Sequence, residues 1–176
     1  MNLFKDVSCG KNPPQEINVV VEIPKGTQNK IEYDEENGYM TLDRTLYSPL
    51  IYPFEYGFIP QTRSGDGDSL DAILLATNPT FPGCVVKARP VAVMYLEDEG
   101  GIDNKIIFAP TEKLNPRFKE IQNLESIPEH TRKEIQEFFE VIKRLEPNKW
   151  QKVSGWAGKE EAEKMIKEAI EKYKAE

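Results

Sequence analysis

Short runs of alternating or β-branched apolar residues fill the first two thirds of the chain, and no helical stretch separates them. Residues 17–23 read INVVVEI, with Glu22 facing opposite to Val21 and Ile23. KIEYD (30–34) and YMTLDR (39–44) flank Glu35-Glu36-Asn37-Gly38, and Asn-Gly between two alternating runs is a hairpin signal. Side chains alternate along a strand, so Lys30 and Glu32 share one face while Ile31 and Tyr33 take the other. Further strands are predicted at 70–76, 84–96 and 105–109, and Pro90 marks a bend or break within the long one. The last third turns helical. Ser126 and Glu129 have capping-box spacing. Ile135, Phe138, Phe139, Ile142 and Leu145 then recur at helical spacing until Pro147 ends the run. A second helix is predicted over 158–174, with Ala162, Met165, Ile166, Ala169, Ile170 and Tyr173 on one stripe. Strands first and helices last predict an α+β fold, and short strands without helical crossovers favour a small closed barrel.

The 176 residues show no repeat, low-complexity segment or linker, which suits a single domain, 1–176. With 39% apolar and 30% charged residues the chain reads as soluble and globular. No apolar stretch approaches the roughly 20 residues of a membrane helix. MNLFKDVSCG lacks the basic start and apolar core of a secretory signal. Cys9 and Cys84 match no metal spacing and are expected to stay reduced, which places the protein in the cytoplasm. A formal net charge of −7 argues against nucleic-acid binding and fits a protein that holds cations. The single histidine, His130, lies in a polar stretch and reads as an exposed residue at a helix start. Acid–base chemistry therefore falls to carboxylates, lysines, tyrosines or metal-bound water.

Residues 65–76, GDGDSLDAILLA, put Asp66, Asp68 and Asp71 at the mouth of an apolar run. Carboxylates this close resist joint ionisation unless something positive lies between them. The EF-hand pattern fails here, because its fifth, sixth and twelfth positions are Leu70, Asp71 and Thr77. A solvated acidic turn is the simple alternative, but Asp71 leads straight into Ala72-Ile73-Leu74-Leu75. An unpaired charge at the edge of a core is expensive, and a metal or a basic partner would offset it. A second cluster, Glu97, Asp98, Glu99 and Asp103, surrounds Gly100-Gly101, with Lys105 starting the next strand. By itself this is a polar hairpin tip with Glu97 and Glu99 in solvent. If it meets the first cluster, Asp66, Asp71, Asp98 and Asp103 converge, and hard oxygen ligands select Mg²⁺, Mn²⁺ or Ca²⁺ over zinc. Arg44, Tyr47, Tyr52 and Tyr56 lie among prolines, and Tyr56, at a turn, is the ring expected to aim its hydroxyl at something polar. Lys30 and Arg44 sit on the paired hairpin strands. Clustered acids with lysine and arginine at the rim suit a ligand carrying many negative oxygens, and phosphate chemistry fits.

Asp66-Gly67-Asp68-Ser69-Leu70-Asp71 resembles the D-G-D-P-x-D motif of the soluble family I inorganic pyrophosphatases. VEIPKG, NKIEYD, LDR, YPFEYGFIP, PGCVVKARPVAV, EDEGGIDNKIIFAP, FFEVIKRLE and GWAG also fall in that family's order, over nearly the whole chain. The resemblance implies a small closed five-stranded OB-like β-barrel with flanking C-terminal helices. It also implies hydrolysis of pyrophosphate to two phosphates with several Mg²⁺ ions, for which Mn²⁺ could substitute. By position, Asp66, Asp71 and Asp103 would hold the metals that activate water, with Asp71 shared between two. Asp98 and Asp103 would hold a metal arriving with substrate, and Glu32 another on the leaving side. Asp68 would be the general base, and Tyr56 would hydrogen-bond near it. Lys30, Arg44 and Lys143 would grip phosphate oxygens, while Glu22 and Lys105 would tune the acidic ring. Relatives of this length usually assemble as hexamers, so a homo-oligomer is expected, with no nucleic-acid or membrane partner.

Two positions depart from the family pattern. Ile142-Lys143 stands where the family usually has Tyr-Lys, and isoleucine cannot supply a hydrogen bond to an anion, a contact typically worth roughly 1.5–3 kcal/mol. Ser69 replaces the usual proline, which loosens the turn before Asp71 without moving its neighbours. Three other readings of the residues stay open. A strand-rich barrel could bind single-stranded nucleic acid, but that calls for a basic groove with stacking aromatics. A structural calcium-binding domain leaves Lys30, Arg44 and Lys143 idle. A nucleotide hydrolase would add a base pocket, for which no sequence signal is visible.

Overall fold

The computed structural model describes residues 1–65 and 67–175. In chain order its strands begin with β1 (Ile17–Ile23), β2 (Asn29–Asp34), β3 (Tyr39–Thr45), β4 (Glu55–Ile59) and β5 (Leu70–Leu74). They continue with β6 (Val85–Asp98), β7 (Gly101–Ile102), β8 (Lys105–Pro110) and β9 (Gln151–Gly158). Helix α1 (Glu129–Ile142) precedes β9, and α2 (Lys159–Lys174) follows it.

Five strands form a ring. β1 pairs antiparallel with β4, and β4 with β5; β5 runs parallel to β8; β8 pairs antiparallel with β6, which returns to β1. Such closure satisfies backbone groups that an edge strand would expose. The 14 residues of β6 are enough to serve β1 at Val85–Ala88, β8 over Ala88–Met94, and β9 over Ala92–Asp98. Pro90 has no N–H to give the ladder, and the β6–β8 register shifts between Pro90 and Ala92, as its position in the sequence leads one to expect.

Side-chain alternation divides the core. Leu70, Ala72 and Leu74 of β5 pack with Ala162, Ile166, Ala169 and Ile170 of α2. Ile73, on the other face, packs with Phe138, Phe139 and Phe54 beneath α1. Each fully buried Leu, Ile or Phe contributes roughly 1.5–3 kcal/mol, so the two stripes hold both helices on the ring. The β2–β3 hairpin forms its own sheet. It is pinned by Tyr33, whose ring stacks 5.4 Å from Phe58 and whose hydroxyl accepts a 2.7 Å bond from Leu3 N–H. The Asn37-Gly38 turn is present, with Gly38 at φ +77 and Asp34 accepting from the Asn37 N–H at 2.8 Å.

Three expectations are corrected. α1 is preceded by Pro128 with no side-chain cap, and the capping box sits one turn earlier, between Asn123 and Ser126 around the 3-10 turn Leu124–Ser126. Leu145 lies beyond α1 and is 62% exposed, because the helix stops at Ile142. Three strands were not anticipated: β4, fenced by Pro53 and Pro60; the two-residue β7 at the Gly100-Gly101 tip; and β9, whose sequence is broken up by Ser154 and Gly155. Among the described residues no helix is long and apolar enough to cross a membrane.

Candidate functional site

The parallel pairing of β5 with β8 places the starts of both strands at one end of the ring. Ala72 registers with Ile106, so the preceding residues, Asp71 and Lys105, become neighbours. Asp103 lies two residues before Lys105 on the same rim. The ends of β6 and α1, the start of β9 and the β2–β3 hairpin complete a cleft of about 1160 Å³. Every described residue of the predicted set lines it: Glu22, Lys30, Glu32, Arg44, Tyr56, Asp68, Asp71, Asp98, Asp103, Lys105 and Lys143. Asp66 lies outside the described residues.

Acids and bases interleave in three groups. Lys105, almost wholly buried, donates to Asp71 and, at 2.5 Å, to Asp103 Oδ1. Burial alone would discharge Lys105, yet the two carboxylates hold its ammonium above the usual range. Burial pushes the Asp103 carboxyl up; Lys105 opposes this, and the charge of Asp71 adds to it. In the second group Lys30 donates to Glu32 and, at 3.1 Å, to Asp43, which also pairs with Arg44. Arg44 reaches on to Glu146 at 3.0 Å, while its Nε is buried without a partner. In the third group Lys143 lies 2.8 Å from Asp98 and 3.3 Å from Glu99. Glu99 also accepts from Lys149 at 2.6 Å and from the Trp150 N–H at 3.3 Å.

The remaining polar groups face the first triad. Burial raises the Tyr56 hydroxyl far above its usual range, and Asp71 and Asp103 raise it further. Lys105 Nζ lies 5.6 Å from the Tyr56 ring centre. Burial also pushes Glu22 up to about 8; the Tyr33 N–H, 2.7 Å from Glu22 Oε1, opposes this, while Asp71 and Glu32 reinforce it. His130 is highly exposed on the first turn of α1, 3.9 Å from Glu134.

Several charged partners went unrecognised in the sequence. Asp43 and Glu146 bracket Arg44, and Glu99 is paired rather than solvated. Asp43 could have been found beside Arg44 on the hairpin; Glu146 gave no signal, because its contact spans 102 residues. The expectation for Asp71 is met by the basic-partner alternative, Lys105. Among the described residues no group of three His, Cys, Asp or Glu side chains stands ready to hold a metal ion, since lysines separate the acids. The donor chemistry nonetheless fits hard divalent cations. Glu32, Asp71, Asp98 and Asp103 offer oxygen only, and Asp71 and Asp103 crowd each other despite Lys105.

Carboxylates around the buried Lys105, with Lys30, Arg44 and Lys143 lining the same cleft, are chemistry that suits a polyanion received together with cations. The inorganic pyrophosphatase family model matches residues 19–174. The chain is 48% identical to an inorganic pyrophosphatase of Agrobacterium fabrum, over 97% of both chains. It is 46% identical to one from Aquifex pyrophilus, again over 97% of both. The crystal structure of inorganic pyrophosphatase from Thermus thermophilus superposes with a TM-score of 0.95 at 41% identity, covering 99% of each chain. The chain belongs to the inorganic pyrophosphatase family, which in general terms implies a divalent-metal cofactor.

Proposed function

We propose that the protein hydrolyses inorganic pyrophosphate to two phosphates in this cleft, with Mg²⁺ as its working cation and Mn²⁺ as a substitute. The observation that carries this reading is the meeting of Asp71, Asp98 and Asp103 with Lys30, Arg44 and Lys143 around one cavity. Asp71, Asp98, Asp103 and Glu32, with Asp66, would hold the metals. Bound there, divalent ions neutralise charge on the anion and make water easier to deprotonate.

The side chains divide the remaining work. Lys30, Arg44 and Lys143 hold the phosphoryl oxygens and offset charge that builds as the bridging oxygen leaves. Asp68 takes the proton of the water that attacks phosphorus in line with that oxygen. Tyr56 keeps its proton at any working pH and so serves as a hydrogen-bond donor beside Asp71. Glu22 and Lys105 set the charge balance of the acidic floor. Replacing Asp71 with Asn tests these assignments. Turnover of pyrophosphate should fall by about two orders of magnitude or more, and wild-type rates would overturn them. On the same reading the five-stranded ring is a closed OB-like barrel, the chain is one cytoplasmic domain, and it assembles as a homo-oligomer, a hexamer by family resemblance.

A further inference from the structure

Gln151 opens β9 directly opposite Asp98 of β6. Residues facing each other across an antiparallel pair project to the same side of the sheet. Here that side is the cleft, which Gln151, Asp98 and Lys143 all line. The carbonyl oxygen of the Gln151 amide, Oε1, is buried and has no hydrogen-bond partner. A buried polar atom left unpaired costs stability, and an apolar side chain at this strand position would avoid that cost. Ile142, which lines the cleft just before Lys143, has nothing to offer the amide. A hydrogen donor delivered into the cleft would supply the partner that Oε1 lacks.

Hydrolysis of pyrophosphate creates such a donor. Water adds an oxygen to one phosphorus and the bridging oxygen leaves with the other, so the products at neutral pH are two hydrogen phosphates, each carrying a P–OH. The substrate bound to divalent cations has none, because the cations displace its last proton. We propose that Gln151 is a product-recognising residue: beside Lys143, its Oε1 accepts a hydrogen bond from the P–OH of hydrogen phosphate. This rests on the pyrophosphate reading above.

The test uses the full-length protein in Mg²⁺ and measures the shift in melting temperature produced by inorganic phosphate, with sulfate, which has no hydroxyl at neutral pH, as the comparison. Gln151→Met keeps the length of the side chain and removes the acceptor; Gln151→Val serves if the methionine variant folds poorly. The apparent Kd for phosphate should rise roughly tenfold in the variant, with the response to sulfate unchanged. The inhibition constant of phosphate in pyrophosphate hydrolysis should rise in parallel, with KM for pyrophosphate moving less. Unchanged phosphate affinity overturns the proposal, as does an equal loss for phosphate and sulfate. If the wild-type protein shows this contrast but does not hydrolyse pyrophosphate, the phosphate seat stands and the substrate reading falls.

Discussion

Lys105 Nζ lies 2.5 Å from Asp103 Oδ1 while the lysine side chain is only 3% exposed, so a buried ammonium is the counter-charge that Asp103 shares with Asp71. Removing one partner of a buried pair strands the others. Lys105→Met should therefore lower stability by about 3 kcal/mol in EDTA. Millimolar Mg²⁺ should recover much of that loss, because cations among the carboxylates replace the missing charge. Urea unfolding in the two buffers checks this; an equal loss in both would contradict it.

Arg44 and Glu146 stand 102 residues apart in the chain yet meet at 3.0 Å, and the Glu146 side chain is only 7% exposed. This contact fixes the guanidinium at the rim. Glu146→Ala should cost about 1–3 kcal/mol, since Arg44 loses a partner inside a half-buried network. It should also lower kcat/KM about tenfold through a misplaced Arg44. Steady-state kinetics beside thermal unfolding separate the two effects, and a variant with normal kinetics would remove Arg44 positioning as the role of Glu146.

Glu99 supplies the pH dependence. Burial works against its charge, but hydrogen bonds from Lys149 and the Trp150 N–H, with Lys143 nearby, bring its carboxyl from 4.5 down to about 2. A depressed carboxylate stabilises the fold above its unfolded value, and that contribution shrinks as pH falls through the folded one. Glu99→Gln should thus melt below wild type near neutral pH, by a gap of roughly 0.5–1 kcal/mol after solvent screening. The gap should close between pH 4.5 and about 2. A gap that stays constant over that range would show that Glu99 is not held by charge.

Gly57 sits in β4 where it faces β1, and a Cβ there would stand 1.9 Å from the Val20 carbonyl oxygen. That obstacle is backbone, so Gly57→Ala must open the β1–β4 pairing. A loss of roughly 3 kcal/mol or more is expected, together with lower activity, because Tyr56 is the next residue. Denaturant unfolding of the variant at wild-type stability would contradict this.

What could be read from the sequence follows from the range of each signal. Asp68, Asp71, Asp98 and Asp103 announce themselves through short acidic turns, and the α1 and α2 stripes through local periodicity. Ring closure does not, because the β1–β6 and β5–β8 pairings join residues far apart in the chain. β4 was hidden by its flanking prolines and Gly57, and β9 by Ser154 and Gly155. Glu146 was invisible for the same reason as ring closure, since its partner lies across the molecule. Lys105 was expected to tune the acidic ring; burial makes it that ring's structural counter-charge.

The central proposal is that the carboxylates of this cleft gather divalent ions to receive and split pyrophosphate. Phosphate release from pyrophosphate, assayed with Mg²⁺, with Ca²⁺ and with EDTA beside a nucleoside triphosphate, addresses it directly. Turnover should require Mg²⁺, fail with EDTA, run far slower with Ca²⁺, whose longer and more numerous bonds acidify water less, and spare the triphosphate. Turnover that persists in EDTA, or that favours the triphosphate, would contradict it.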